Sequence, residues 1–185
     1  TNLYLESKRP KVNMKRIPLS LFTFLFLLSG LCAAPTKTVW QIGEKNHSAS
    51  ELALSPDKYK EFLANDFGWE DRFYIIGLSS PQKDFPYVLP GPADHWGGTS
   101  YTAGIRTHVL NILFGMKEVP ETDSWKLIID LLDTHHEFPA LFKITINGKS
   151  WKYALPKGSG KSIDGDYSQI KPHTIEIPLN SGVIR

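Results

Sequence analysis

Four aromatic residues with charged neighbours are the part of this chain best suited to contacting a ligand. Trp69, Tyr87, Trp96 and Tyr101 lie in or beside a Pro/Gly-rich stretch, with Asp94, His95 and Arg106 close by in sequence. A sugar ring has an apolar face that packs on a flat aromatic, and hydroxyls that pair with charged or amide groups. An exposed Trp flanked by Asp, His and Arg suits such a ligand. The same rings also have a plainer use, which is to pin a glycine-rich loop to the core as buried aromatics do. Nothing comparable points to catalysis. There is no Gly-x-Ser-x-Gly elbow and no His-Glu-x-x-His pair, so neither the hydrolase nor the zinc-protease pattern applies. The six histidines allow several pairings with acids, and their spacing selects none.

Three shorter motifs carry chemistry-capable residues and read as loops. Gly158-Ser-Gly-Lys-Ser162 resembles the end of a phosphate-binding loop. That motif needs a Gly five places before Gly160, where Leu155 stands, and a helix after it. Asp133-Thr-His-His-Glu137 gathers metal-capable side chains. Adjacent His135 and His136 would point to opposite sides of an extended segment, and no i, i+4 pair exists, so a solvated turn is expected. Asp164-Gly-Asp166 lacks the spaced oxygens and closing Glu of an EF-hand loop. No cofactor is implied; a structural calcium ion is the alternative, without a ligand pattern behind it.

The elements that must hold these residues are mostly strands. Thr107–Met116, Trp125–Leu132 and Leu141–Ile146 are apolar runs of strand length separated by turn-forming residues, and they read as neighbouring antiparallel strands. In the last run Lys143 and Thr145 alternate with Phe142, Ile144 and Ile146, giving one wet and one dry face. Asn147-Gly148 then supplies the positive φ angles of a two-residue hairpin turn into Ser150–Leu155. Thr38–Gly43, Arg72–Leu78 and His173–Leu179 are further strands, the last with Ile175, Ile177 and Leu179 on one face. Ser48–Leu54 is ambiguous between strand and loop. Ser55-Pro56 and an early Asp57 mark one short helix over Asp57–Leu63. From Ser79 to Gly104 four prolines and four glycines forbid a long regular element, leaving a surface loop with one short strand at Phe85–Val88. Many short strands and one short helix predict an all-β antiparallel sandwich.

The N-terminal part reads as an address. Met14-Lys15-Arg16 is a positive n-region, Ile17–Leu31 an apolar run of 15 residues, and Cys32-Ala33-Ala34 a small-residue cleavage site, the pattern of a secretory signal peptide over 14–33. The run is shorter than the roughly 20 residues a spanning helix needs, so the mature form has no membrane segment. Acylation at Cys32 is the alternative processing, which the preceding Leu31 disfavours. Residues 1–13 lie upstream of Met14 and are set aside as leader. Cleavage after Ala33 or Ala34 leaves a thiol-free domain over 34–185, secreted to the extracellular space or periplasm. Formally +2 overall, the chain carries five Lys/Arg and one acid in residues 1–33, leaving 16 basic and 18 acidic residues in 34–185, a net of −2. No basic face for nucleic acid is implied. A composition of 41% hydrophobic and 12% aromatic residues supports one folded domain of ordinary size.

Several segments, taken in order, resemble a known module. They are Val39-Trp-Gln-Ile-Gly43, Ser48-Ala-Ser-Glu-Leu52, Arg72-Phe-Tyr-Ile-Ile-Gly77, Lys83-Asp84-Phe85, and the pair Val109–Phe114 with Trp125–Leu131. Together they are similar to the carbohydrate-binding-like third domain of rhamnogalacturonan lyases in polysaccharide lyase family 4. The resemblance covers Val39 to Leu179. It implies an antiparallel, galactose-binding-like jelly-roll β-sandwich that follows a catalytic domain of the same parent chain. The lyase residues lie in that other domain, so none maps onto this one. Two departures stand out: the module directly follows the signal segment, and the chain is expected to end before the module's last strand. The implied function is a secreted, non-catalytic module of a lyase acting on pectic polysaccharide (rhamnogalacturonan), with the aromatic cluster as ligand contact. A ligand-free structural spacer and a catalytic domain in its own right are the alternatives. A shared fold alone does not establish sugar binding.

Overall fold

The computed structural model describes residues 2–8, 36–55, 58, 73–86, 109–117, 124–161, 166–180 and 182–184. Its centre is a four-stranded antiparallel sheet in the order β2 (Thr36–Ile42), β1 (Asn2–Lys8), β5 (Ser124–Leu131) and β8 (His173–Leu179). Alternation explains each strand. Trp125, Leu127, Ile129 and Leu131 of β5 point inward, as do Ile175, Ile177 and Leu179 of β8. Register then lines these side chains into rows across the sheet. Ile42, Leu3, Ile129 and Ile175 form one row, and Trp40, Leu5, Leu127 and Ile177 the next. Side chains that share a face in adjacent strands stand close enough for continuous packing, and Leu5, Ile42, Trp125, Ile177 and Leu179 are among the most completely buried residues.

A hairpin packs against that core. Strands β6 (Leu141–Ile146) and β7 (Lys149–Ala154) pair antiparallel through Asn147-Gly148, with φ of 46° and 84° at the two turn residues. Positive φ at both positions is what a type I′ turn requires. Phe142, Ile144, Ile146, Trp151 and Tyr153 face the core cluster. The Asn147 amide donates to the Val183 carbonyl at 2.7 Å, so the turn is also tied to the far end of the chain. A smaller pair, β3 (Phe73–Ile75) and β4 (Asn111–Leu113), runs parallel. The four-residue helix α1 (Pro81–Asp84) follows β3, with Pro at its start and the Asp84 carboxylate accepting from the Ser80 N–H at 2.8 Å. Phe85 beyond it meets Tyr74 edge-on, centroids 5.7 Å apart.

The all-β antiparallel architecture agrees with the sequence expectation; several of its details do not. The three central runs are not neighbours: β5 lies between β1 and β8, β6 pairs with β7, and β4 pairs with β3 in parallel. Local alternation specifies which face of a strand is buried but not which strand lies beside it. The expected strand Thr107–Met116 is reduced to Asn111–Leu113 among the described residues, and Arg72–Leu78 to Phe73–Ile75. The latter ends because the chain reverses there, with Leu78 and Ser79 both donating to the Ile75 carbonyl and Gly77 at positive φ. The largest difference is at the N-terminus. Asn2–Lys8, set aside as leader, forms an interior strand bonded on both sides, because Leu3, Leu5 and Ser7 alternate inward as any core strand does. The helix expected over Asp57–Leu63 lies, but for Lys58, outside the described residues, as does the apolar segment 14–33.

Candidate functional site

Two of the loop motifs come together although they are far apart in sequence. At the end of β5 the chain turns, and the Asp133 carboxylate faces the loop that follows β7. Asp133 Oδ1 accepts from the Thr134 N–H at 2.9 Å and the Ser159 N–H at 2.7 Å. Its Oδ2 accepts from the Ser159 hydroxyl and from the Lys161 N–H at 3.1 Å. Lys171, just before β8, adds a longer N–H contact of 3.5 Å to Oδ1. One carboxylate thereby ties together three stretches of chain. Burial would push this carboxyl up, but the hydrogen bonds from Ser159, Thr134 and Lys161 outweigh it and hold it below the usual carboxylate range.

Gly158-Ser-Gly-Lys161 therefore behaves as an anion-binding turn whose anion is built in. Alternate backbone N–H groups, those of Ser159 and Lys161, converge on the Asp133 carboxylate, much as backbone N–H groups converge on the anion of a phosphate-binding loop. Gly158 is required for this approach: a Cβ there would run into the Thr134 carbonyl and Asp133 Oδ1. Gly160 adopts φ of 69°, with its added Cβ 3.1 Å from His136 Nδ1. The Gly158 and Gly160 amides donate to the carbonyls of His135 and Thr134 at 3.3 and 3.1 Å, and the Thr134 hydroxyl donates to the Pro156 carbonyl at 2.6 Å.

The histidine pair departs from expectation. His135 and His136 do not point to opposite sides; their rings stack at 4.7 Å and 19°, because the segment bends instead of staying extended. His135 Nδ1 accepts from the Glu137 and Phe138 N–H groups at 3.1 and 2.9 Å, which occupies the lone pair a metal would need. Among the described residues no group of three or more His, Cys, Asp or Glu is placed to hold a metal ion. Asp166 caps the 3-10 turn Tyr167–Gln169 by accepting from the Ser168 N–H at 3.0 Å.

The outer face of the four-stranded sheet is polar. Lys126 pairs with Glu176 at 3.0 Å, and Lys45 with Asp130 at 3.3 Å. Asp130 also accepts from the Thr174 hydroxyl. Beside Lys126 a groove of about 220 Å³ is lined by Glu6, Thr36, Ser124, Trp125, Glu176 and Pro178, which is smaller than the roughly 300 to 1,000 Å³ of small-molecule sites. On the hairpin the outward residues of β6 and β7 meet in register: Lys143 opposite Lys152, and Thr145 opposite Ser150, the two hydroxyls 2.8 Å apart.

The seven residues expected to contact a sugar, Trp69, Tyr87, Asp94, His95, Trp96, Tyr101 and Arg106, all lie outside the described residues. What the sequence reading missed is the joining of Asp133 to the Gly158–Lys161 turn. The available signal was a glycine-spaced polar turn without the rest of a nucleotide motif, together with an isolated Asp just past a buried strand.

Comparison with known proteins supplies the family. A family model described as CBM-like, polysaccharide lyase family 4, domain III, matches residues 38–182. The chain belongs to this family, and the matched unit is an accessory domain of the lyases. It runs from β2 to just past β8 and does not include β1. Among curated proteins and solved structures, nothing matches the chain. No described helix is long and apolar enough to cross a membrane.

Proposed function

We propose that the chain is a secreted, non-catalytic, carbohydrate-binding-like module of a lyase acting on rhamnogalacturonan. In this reading its fold is a galactose-binding-like jelly roll, and it packs against a catalytic domain of the same parent protein. The observation that carries the reading is the family match over 38–182. The aromatic cluster of Trp69, Tyr87, Trp96 and Tyr101, with Asp94, His95 and Arg106, is the proposed sugar contact, since stacking on a ring face and hydrogen bonding to hydroxyls need those residue types together. The segment 14–33 directs export, with cleavage after Ala33 or Ala34.

Affinity electrophoresis in gels containing rhamnogalacturonan tests the binding reading. The chain is expected to be retarded, and Trp96→Ala to run faster than wild type. Equal migration with and without the polymer would favour a ligand-free spacer. Incubation with the same polymer should produce no ultraviolet absorbance from unsaturated uronate, because β-elimination needs a positioned base and cationic stabilisation of the enolate. N-terminal sequencing of exported product tests the processing. Cleavage at Ala33 or Ala34 would cut the covalent link between β1 and the matched domain, leaving β1 held by its hydrogen bonds to β2 and β5 and by the packing of Leu3 and Leu5.

A further inference from the structure

We propose that the outward face of the β6–β7 hairpin is a carboxylate-binding site for an acidic, uronate-containing polysaccharide, with Lys143 and Lys152 as its paired cations. The inference rests on the pectic-polysaccharide reading above and assigns it contact residues other than those of the aromatic cluster.

Charge is distributed very unevenly along the chain. Residues 138–163 hold five lysines (Lys143, Lys149, Lys152, Lys157 and Lys161) and no Asp or Glu, whereas the rest of 34–185 holds eleven Lys/Arg against eighteen acids. A domain that is net acidic thus presents one cationic hairpin, while the loop after it already carries the Asp133 carboxylate. Such a patch raises the local concentration of a polyanion and repels none of its carboxylates.

Register concentrates that charge further. Lys143 and Lys152 are directly opposed across the ladder and both are exposed, so their Cβ atoms stand about 5 Å apart. Neither has a carboxylate partner among the described residues. Like charges directly opposite destabilise a sheet, and the nearest compensation is an anion between them. Solubility alone would ask for lysines somewhere on an exposed hairpin; it gives no reason to set two in register. The rungs on either side suit a sugar. About 7 Å along the strands in one direction lie the hydroxyls of Thr145 and Ser150, able to donate and accept. One rung the other way, Leu141 is 64% exposed and offers an apolar contact to ring C–H groups.

The test uses the full chain with Lys143→Gln/Lys152→Gln and Lys143→Arg/Lys152→Arg double variants, titrated with polygalacturonate, rhamnogalacturonan, neutral galactan and a DNA oligonucleotide. Each exposed ammonium–carboxylate contact is worth little, so about a tenfold loss of uronate affinity is expected for the Gln pair. The Arg pair should retain binding, and wild-type affinity should fall with added salt. Thermal stability of the Gln pair should match or slightly exceed wild type, since a repulsive pair is removed. Unchanged uronate binding by the Gln pair would overturn this site while leaving the polysaccharide reading intact. Failure of wild type to bind any pectic polymer would overturn both. Equal affinity for DNA and polyuronate would make the face a general polyanion surface and overturn the uronate assignment.

Discussion

The four-stranded sheet and the turn around Asp133 are held together in opposite ways. In the sheet, rows of Leu, Ile and Trp side chains cross four strands, and nearly every inward position is apolar. In the turn, three stretches of chain meet on one half-buried carboxylate through backbone N–H groups and a hydroxyl. The first arrangement spreads its stabilisation over many small contacts, so each side chain matters by the volume it fills. The second places it in one group whose charge state depends on pH. Substitutions should therefore act through cavity size in the sheet and through charge in the turn.

The largest effect is expected where a large side chain fills the sheet. Trp125 is 1% exposed, and Trp125→Ala should destabilise by about 3 to 5 kcal/mol, read as a shift in the denaturant midpoint with an unchanged slope. A shift below about 1 kcal/mol would mean that the core relaxes around the cavity, contrary to the packing described. Next comes Leu5→Ala. Leu5 is equally buried, between Trp40 and Leu127, and in the full chain its truncation should cost about 2 to 5 kcal/mol. This substitution also separates β1 from the other strands of its sheet. Among the described strands only β1 lies wholly outside the family match, so a negligible effect in the full chain would show that the remaining strands close the sheet without it.

These contrasts mark how far local sequence information reaches. Burial by alternation was legible: His173–Leu179 and Leu141–Ile146 form strands with the expected faces inward, and Asn147-Gly148 makes the expected turn. Each of these depends on neighbours within a few residues. What local pattern could not supply was pairing. The partners of β5 come from positions 2–8 and 173–179, far from it in the chain, and alternation looks the same whichever strand lies alongside. Residues 2–8 were set aside because they lie upstream of Met14, although Leu3, Leu5 and Ser7 already show the two-residue period of a strand. The Asp133 site was missed for a related reason. Its halves were each weighed against a known motif, one as a metal site and one as a phosphate loop, but their complementarity, a carboxylate and convergent N–H donors, is visible only when the fold brings them together.

The turn should be weaker and pH-sensitive. Asp133→Ala removes charge-assisted hydrogen bonds, a single one of which is typically worth about 1.5 to 3 kcal/mol. The lower end is expected, because water can reach a half-buried site and replace the lost acceptor. Since the folded-state carboxyl titrates below its unfolded value near 3.9, its contribution is present above that value and is lost as pH falls through the lower folded one. Wild type should therefore lose stability below about pH 4 more steeply than Asp133→Asn, by acid titration of intrinsic Trp fluorescence. Parallel acid limbs in the two proteins would remove Asp133 from the account.

The smallest effect should come from the outer face of the same sheet whose core gives the largest. Lys126 and Glu176 make a 3.0 Å contact, with side chains 28% and 56% exposed. Their attraction is screened by water, and ordering two flexible side chains offsets part of it, so a coupling below about 1 kcal/mol is expected. A double-mutant cycle with Lys126→Ala and Glu176→Ala isolates that coupling from the loss of the Lys126 methylene stem. Repeating the cycle in high salt should reduce it further. A coupling comparable to the Leu5 cavity term would mean that this face is dry in the working protein, covered by something that excludes water from the groove between Glu6 and Pro178. The face opposite the core would then be an interface, and the division between a packed side and a wet side would no longer hold for this sheet.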